Sequence, residues 1–302
     1  MQVNSTYVGR FAPSPTGPLH FGSLVAALAS FLDARHHNGR WLVRIEDLDP
    51  PREIDSAPAQ IFRQLEYFGL EWDDDPLFQS DRLEAYEASL ARLETKGLLF
   101  SCTCSRRSYG AVYPGTCRHL ARALDSRIDG QRTGQAASAT RIRTENREIQ
   151  FADLFQGTQR FELETQIGDF ILKRKDGLFA YQLAVVVDDD AQGITHIIRG
   201  NDLLDSTPKQ LYLADQLGFK RPIYGHFPVV LGEDGHKLSK QAKANPIALE
   251  NPCAALNMAL KALGQTPIST SSVTVLLQQA VQNWDRQQIP KVAGVSINSL
   301  SL

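Results

Sequence analysis

The chain has 302 residues, 42% hydrophobic and 22% charged, which is enough for one large or two modest domains with a proper core. Its net charge of −2 argues against broad, nonspecific nucleic-acid binding, which rests on neutralising phosphates, but leaves room for a local basic surface. No charged-then-apolar leader and no apolar run of membrane-spanning length is present, so a cytoplasmic protein without membrane contact is expected, and its four cysteines point to metal or thiol chemistry before disulfides.

Tyr7 and Val8 open a buried strand, and Pro13, Pro15, Gly17 and Pro18 then forbid any regular element. Leu24, Leu28, Phe31 and Leu32 recur at helical spacing, so a helix is expected from Gly22 to about His36, stopping near Gly39. A strand, a tight turn and a helix N-terminus present free backbone N–H groups that suit a phosphate. His20 can donate to a phosphate oxygen there, and the missing side chain at Gly22 lets a nucleotide approach. Trp41 to Asp47 reads as a second strand, and Glu46 sits at its C-terminal end, where ligands collect in open α/β sheets. Asp47 and Asp49 are expected to cap the turn and helix that follow. Amphipathic helices are expected over 56–69 and 81–96, each with a glycine stop signal.

After Phe100 the periodicity fades, and residues 101–150 read as an insertion interrupting the nucleotide fold. It carries Cys102, Cys104 and Cys117, soft thiolates suited to a structural zinc, with Tyr113 or His119 as the fourth ligand. Cys253 is distant and reads as a buried apolar residue. The arginines from Arg106 to Arg147 form a local basic surface that either is solvated or contacts RNA.

Asp169 to Arg174 reads as a strand, Lys175 to Gly177 as a turn, and Phe179 to Val187 as a further apolar run closed by three aspartates. Thr195 to Gly200 is a short strand ending at Arg199, and Ser206 to Pro208 starts a helix. Arg10 and Arg199, both beside strand ends, are forks that bind carboxylates, so an anionic substrate such as glutamate is expected. Lys237 and Lys240, three apart in a glycine-flanked loop, can reach one polyphosphate. Helical pieces near 247–263 and 271–285 follow, and the polar tail from Val295 to Leu302 is expected to fray.

Together His20-Phe21-Gly22-Ser23 and Lys237-Leu238-Ser239-Lys240-Gln241 resemble the two signature motifs of class I aminoacyl-tRNA synthetases. The RFAPSPTGPLH lead-in and the Arg44 to Pro50 stretch are similar to the glutamyl-tRNA synthetase branch. The resemblance covers about residues 5–245, with Leu238 and Gln241 departing from the second signature. It implies an α/β, doubly wound parallel-sheet (Rossmann-like) catalytic domain with a zinc-containing insertion and a short helical C-terminal region. The expected divisions are 1–100 and 167–245 for the two halves of the nucleotide fold, 101–166 for the insertion and 246–302 for the helical region.

The resemblance further implies ATP at His20, Gly22, Ser23, Lys237, Ser239 and Lys240, with catalysis resting on His20, Lys237 and Lys240 and Mg²⁺ accompanying the nucleotide. It implies L-glutamate at Arg10, Phe11, Ala12, Pro13, Ser14, Glu46, Tyr181 and Arg199, Glu46 receiving the α-amino group. The family pattern Cys-x-Cys then Tyr-x-x-x-Cys selects Cys102, Cys104, Tyr113 and Cys117 as ligands of one Zn²⁺ per chain, with His119 the alternative. The chain ends where full synthetases continue into an anticodon-binding region, which resembles the truncated relatives that transfer glutamate to the queuosine base of tRNA(Asp). The expected partner is then the tRNA(Asp) anticodon loop, met by a monomer. A short synthetase charging a tRNA 3′ end, or a non-catalytic paralogue, stays open.

Overall fold

The computed structural model describes residues 6–119, 137–235 and 250–300, so Lys237, Ser239, Lys240, Arg122, Arg127 and Arg132 lie outside the described residues. The opening apolar run forms β1 (Val8–Phe11), and the Pro-rich loop after it leads into α1 (Phe21–His36). Strand β2 (Arg40–Ile45) returns parallel to β1, and α2 (Ala57–Tyr67) crosses to β3 (Leu77–Phe78), parallel to β2. Side chains alternate across the sheet, as the two-residue strand period requires: Trp41, Val43 and Ile45 enter one core and Leu42 the other.

Helix α3 (Leu83–Thr95) is followed by β4 (Leu99–Cys102), β5 (Ala139–Ile142), β6 (Glu148–Asp153), β7 (Gly157–Glu162) and β8 (Phe170–Lys173). Strands β4, β5 and β8 form an antiparallel sheet. The chain then runs through α4 (Tyr181–Ala191), β9 (His196–Gly200), α5 (Thr207–Leu217), β10 (Ile223–Phe227) and β11 (Val229–Leu231). Strand β10 lies between β9 and β6 and is parallel to both, with β7 antiparallel at the edge. Strands β1 and β9 lie side by side, the Thr195 N–H donating to the Val8 carbonyl at 2.9 Å.

Through this contact the two sheets abut, giving the spatial order β3, β2, β1, β9, β10, β6, β7. The chain winds one way from β1 and the other way from β9, and the crevice at such a reversal is where open α/β sheets bind ligands. Helices cover both faces: α1 and α2 pack into one core, α3, α4 and α5 into the other.

The C-terminal region adds α6 (Pro252–Ala262) and α7 (Val273–Asn283), which pack on α1, and β12 (Gly294–Ser296), which pairs in parallel with β11. The segment from Val295 to Leu300 thus does not fray as the polar composition suggested: ladder bonds hold its start, and Leu300 is buried. Among the described residues no helix is long and apolar enough to cross a membrane.

Candidate active site

Helix α1 starts because His20 caps it. The residue is extended, and its Nδ1 accepts from the Ser23 N–H at 3.1 Å. No acidic side chain occupies the first turn, so the partial positive charge of the helix end is left for an anion. Gly22 has a more local reason than nucleotide access alone: a Cβ there would lie 3.1 Å from His20 Cε1, crowding the ring.

Arg10 to Ser14, His20, Gly22 and Ser23 line one side of a cavity of about 750 Å³. Glu46, Tyr181 and Arg199 line it as well, so every sequence-predicted glutamate and ATP residue within the described ranges meets at one place. They arrive from the C-terminal ends of β1, β2 and β9 and from the first residue of α4.

Beneath the cavity is an ionic floor that sequence reading missed. Arg10 Nε donates to Asp189 Oδ1 at 3.1 Å, and Arg44 NH2 donates to the same oxygen at 2.8 Å. Arg44 is fully buried, and its NH2 lies 3.6 Å from Glu46 Oε1, an oxygen buried without a hydrogen bond among the described residues. Burial would raise the Asp189 carboxyl, but the Arg10 and Arg44 charges outweigh it and hold it below the usual range. At Glu46 the balance is reversed: burial prevails over Arg44 and Arg10 and holds the carboxyl above its ordinary value. Neighbouring Asp188, also buried, accepts from Gln79, Tyr86 and Arg82, which ties α3 to α4. Asp47 accepts from the Ser80 N–H and hydroxyl rather than capping the turn after it, and Asp49 pairs with Arg52 and Arg174 at the cavity mouth.

Arg199 is anchored from behind. Its Nε donates to His226 Nε2 at 3.0 Å and its NH2 to Thr207 Oγ1 at 2.9 Å, while NH1 lies 3.5 Å from Tyr181 Oη. Burial raises the Tyr181 phenol, which keeps it neutral beside the guanidinium.

Cys102, Cys104 and Cys117 bring their sulfurs within 4.8 Å of one another, a spacing and donor set that fit a zinc ion. The Tyr113 hydroxyl lies 3.6 Å from Cys102 Sγ and accepts from the Cys117 N–H at 2.8 Å, whereas His119 is exposed and does not join the cluster. Gly168 closes this knot: its φ is 66°, and a Cβ there would stand 2.7 Å from Val112 Cγ1. Cys253 is buried in α6, away from the knot. Of the arginines in this region, Arg118 pairs with Asp169 and Glu164, Arg147 with Asp215, Arg141 stacks on Tyr113, and Arg143 donates to the Arg118 carbonyl. Arg106 and Arg107 are exposed.

A family model described as tRNA synthetases class I (E and Q), catalytic domain, matches residues 7–251. A "Glutamyl-Q tRNA(Asp) synthetase" of Pseudomonas fluorescens is 48% identical over 305 aligned residues, covering 99% of each chain. One of Aromatoleum aromaticum is 48% identical over 297, covering 94% of this chain and 91% of its own. A solved glutamate tRNA ligase from Elizabethkingia meningosepticum, in complex with its amino acid, shares the fold with a TM-score of 0.79 at 24% identity, covering 97% of this chain and 67% of its own. The sheet order, the crevice between β1 and β9 and the full-length match agree: the chain belongs to the class I tRNA synthetases of the glutamate and glutamine branch.

Proposed function

We propose that the protein activates L-glutamate with ATP and transfers it to the queuosine base at the wobble position of tRNA(Asp). The observation that carries this reading is the convergence of two buried arginines, Arg10 and Arg199, and one largely buried carboxylate, Glu46, whose side chain is 10% exposed, on a cavity open to a helix N-terminus. Near-full-length relatives named glutamyl-Q tRNA(Asp) synthetase support the acceptor.

In this reading Arg10 and Arg199 take the carboxylates of glutamate, Glu46 its ammonium, and Tyr181 and the Phe11 to Ser14 backbone its remaining edge. His20, Gly22 and Ser23 receive ATP, and Lys237, Ser239 and Lys240 its phosphates. The glutamate α-carboxylate attacks the α-phosphorus and pyrophosphate leaves. No general base is required, because that carboxylate is already ionised at neutral pH. The protein contributes positioning and charge stabilisation, with Mg²⁺ accompanying ATP. A hydroxyl of the modified base then attacks the acyl carbon, an ester forms, and AMP departs.

Zinc would be held by Cys102, Cys104, Tyr113 and Cys117, where it cross-links the knot and leaves no open position for catalysis. The anticodon loop would meet the cavity mouth at Arg52 and Arg174, with Arg106 and Arg107 available to its phosphates. The divisions at 100, 166 and 245, a monomeric state and a cytoplasmic location belong to the same reading, with β6 and β7 of the 101–166 segment pairing into the sheet of β9 and β10, and β8 into that of β4 and β5.

Two tRNA(Asp) samples test it, one carrying queuosine and the other guanosine at the wobble position. Labelled glutamate is expected on the first alone, and oxidation of the 3′-terminal ribose with queuosine shielded leaves that labelling intact. Equal labelling of both, or label confined to the 3′ end, would replace this reading with a short glutamyl-tRNA synthetase.

A further inference from the structure

We propose that Asp153 and His226 are positioning residues for Arg199, the aspartate fixing the imidazole tautomer that in turn holds the guanidinium toward the cavity. The inference rests on the reading of Arg199 as a glutamate ligand. Strands β6, β10 and β9 lie side by side in parallel, with Asp153 opposite Tyr224 and His226 opposite Arg199. That register lines up a carboxylate, an imidazole and a guanidinium across three strands, and all three are buried.

The hydrogen bonds fix the proton. Arginine has donors only, so His226 Nε2, 3.0 Å from Arg199 Nε, must present its lone pair. The ring proton then sits on Nδ1, which donates to Asp153 Oδ2 at 2.5 Å. The other oxygen of Asp153 is also committed: Oδ1 accepts from the N–H groups of Phe155 at 3.0 Å, Gln156 at 2.9 Å and His226 at 3.1 Å. Burial holds the His226 imidazole below its ordinary pKa, so it stays neutral and keeps its acceptor. With Nε on His226 and NH2 on Thr207 Oγ1 and the Leu203 carbonyl, NH1 is the edge of Arg199 turned to Tyr181.

This arrangement makes an isosteric change informative. In Asp153→Asn the three backbone donors retain the amide oxygen at the Oδ1 position. The amide nitrogen therefore replaces Oδ2 and donates to His226 Nδ1. The ring proton moves to Nε2, where it opposes the Arg199 N–H, and two donors face each other. Arg199 Nε loses its acceptor, with NH2 still held by Thr207 Oγ1 and the Leu203 carbonyl, although nothing in the cavity has changed. The same inversion logic applies wherever an aspartate selects a histidine tautomer.

The test is pyrophosphate exchange on the full chain, with KM for glutamate and for ATP measured separately, alongside ¹⁵N spectra of histidine-labelled protein. Asp153→Asn is expected to raise KM for glutamate roughly ten- to hundredfold, as for loss of one charged contact, with KM for ATP nearly unchanged. The His226 ring should move from the Nδ1–H to the Nε2–H signature. His226→Gln, whose amide oxygen can accept from Arg199, should recover most of the glutamate affinity that His226→Leu loses. A folded Asp153→Asn variant with unaltered KM for glutamate, or a wild-type ring protonated on Nε2, overturns the proposal. Arg199→Lys separates the two levels: unchanged KM for glutamate in that variant removes Arg199 from the substrate site, while the ring spectra independently decide its link to Asp153.

Discussion

Arg10 and Asp189, separated by 179 positions in the chain, meet in a buried ion pair with Nε 3.1 Å from Oδ1. The pair joins the end of β1 to the last turn of α4, and Arg44 brings β2 to the same oxygen. Because α4 begins at Tyr181, one carboxylate sets the relative position of three cavity walls.

Asp189→Ala should therefore be strongly destabilising. Both arginines remain charged at any accessible pH, so removing the carboxylate leaves two buried guanidinium groups without their common partner. A loss of about 3–5 kcal/mol is expected from breaking such a buried pair, measured by urea unfolding. Asp189→Asn should cost less, since its amide oxygen still accepts. The folded-state pKa of Asp189 lies below the unfolded one, so its contribution is present above about pH 4 and is lost as pH falls through the folded value. Acid titration of the wild type should thus show a stabilising contribution that both variants lack.

Glu46 titrates with the opposite sign. Burial holds its folded pKa above the ordinary carboxylate range, so the folded protein binds this proton more tightly than the unfolded chain. Stability from this group is greatest at low pH and declines as pH rises from the ordinary range through the folded value. Substrate binding follows the charge instead: only ionised Glu46 can receive an ammonium. The kcat/KM for glutamate should rise with pH through that same window, its acid limb lying above that of an ordinary glutamate near 4.3. Glu46→Gln should abolish this limb and lower kcat/KM by roughly 10–100-fold, the worth of a charged hydrogen bond. A profile in Glu46→Gln identical to the wild type would remove Glu46 from ammonium binding.

Local rules carried the sequence reading where the signal was local. The start of α1 after the Pro-rich loop, the stripe on α1 and the alternation of Trp41, Val43 and Ile45 are properties of a few neighbouring residues. The run from Phe179 to Val187 was ambiguous because a short, mostly apolar stretch fits a strand or a buried helix equally, and from Tyr181 it forms α4. Asp188 and Asp189 then looked like the polar end of that run, since their partners lie more than a hundred residues away. Asp153 and His226 were missed for the same reason: their meaning comes from the register of β6, β10 and β9. Strand β12 is three residues long, too short for its alternation to stand out from a polar tail. The arginines after Arg106 advertised charge, but Arg118, Arg141, Arg143 and Arg147 spend it inside the fold.

Metal removal should act locally. The knot packs as its own small cluster of Phe100, Cys102, Tyr113 and Cys117, separate from the two main cores. Purified protein should contain about one zinc per chain, and Cys102→Ser should lose it while Cys253→Ser retains it. After chelation, amide exchange should accelerate in residues 99–119 and leave α1 protected. Tyr113→Phe and His119→Ala identify the fourth ligand, zinc affinity being expected to fall in the first and hold in the second. Chelated protein with unchanged exchange in 99–119 would mean that the cysteines pack without needing an ion.

The C-terminal helices should depend on one buried carboxylate of α1. Asp33 is fully buried and accepts from Tyr7 Oη at 2.5 Å, Trp284 Nε1 at 2.9 Å, and Arg286 Nε at 2.7 Å. Tyr7 leads directly into β1, and Trp284 and Arg286 follow α7, so Asp33 links the strand that ends near Arg10 to the last helices of the chain. Burial alone would raise its carboxyl, but the Arg286 charge and hydrogen bonds hold it below the ordinary value. Asp33→Ala leaves a guanidinium, an indole N–H and a phenol facing an empty site, and breaking such a buried pair is expected to cost about 3–5 kcal/mol. The indole reports the event. Chemical unfolding followed by tryptophan emission should show an early red shift in Asp33→Ala, from release of the segment around Trp284, before loss of α1 helicity. The same early shift should be absent when Asp33→Ala is combined with Trp284→Phe, because Trp41 and Trp72 lie in the nucleotide fold. Coincident transitions by both probes would show that the C-terminal helices and the nucleotide fold unfold as one unit and that Asp33 holds no separable latch.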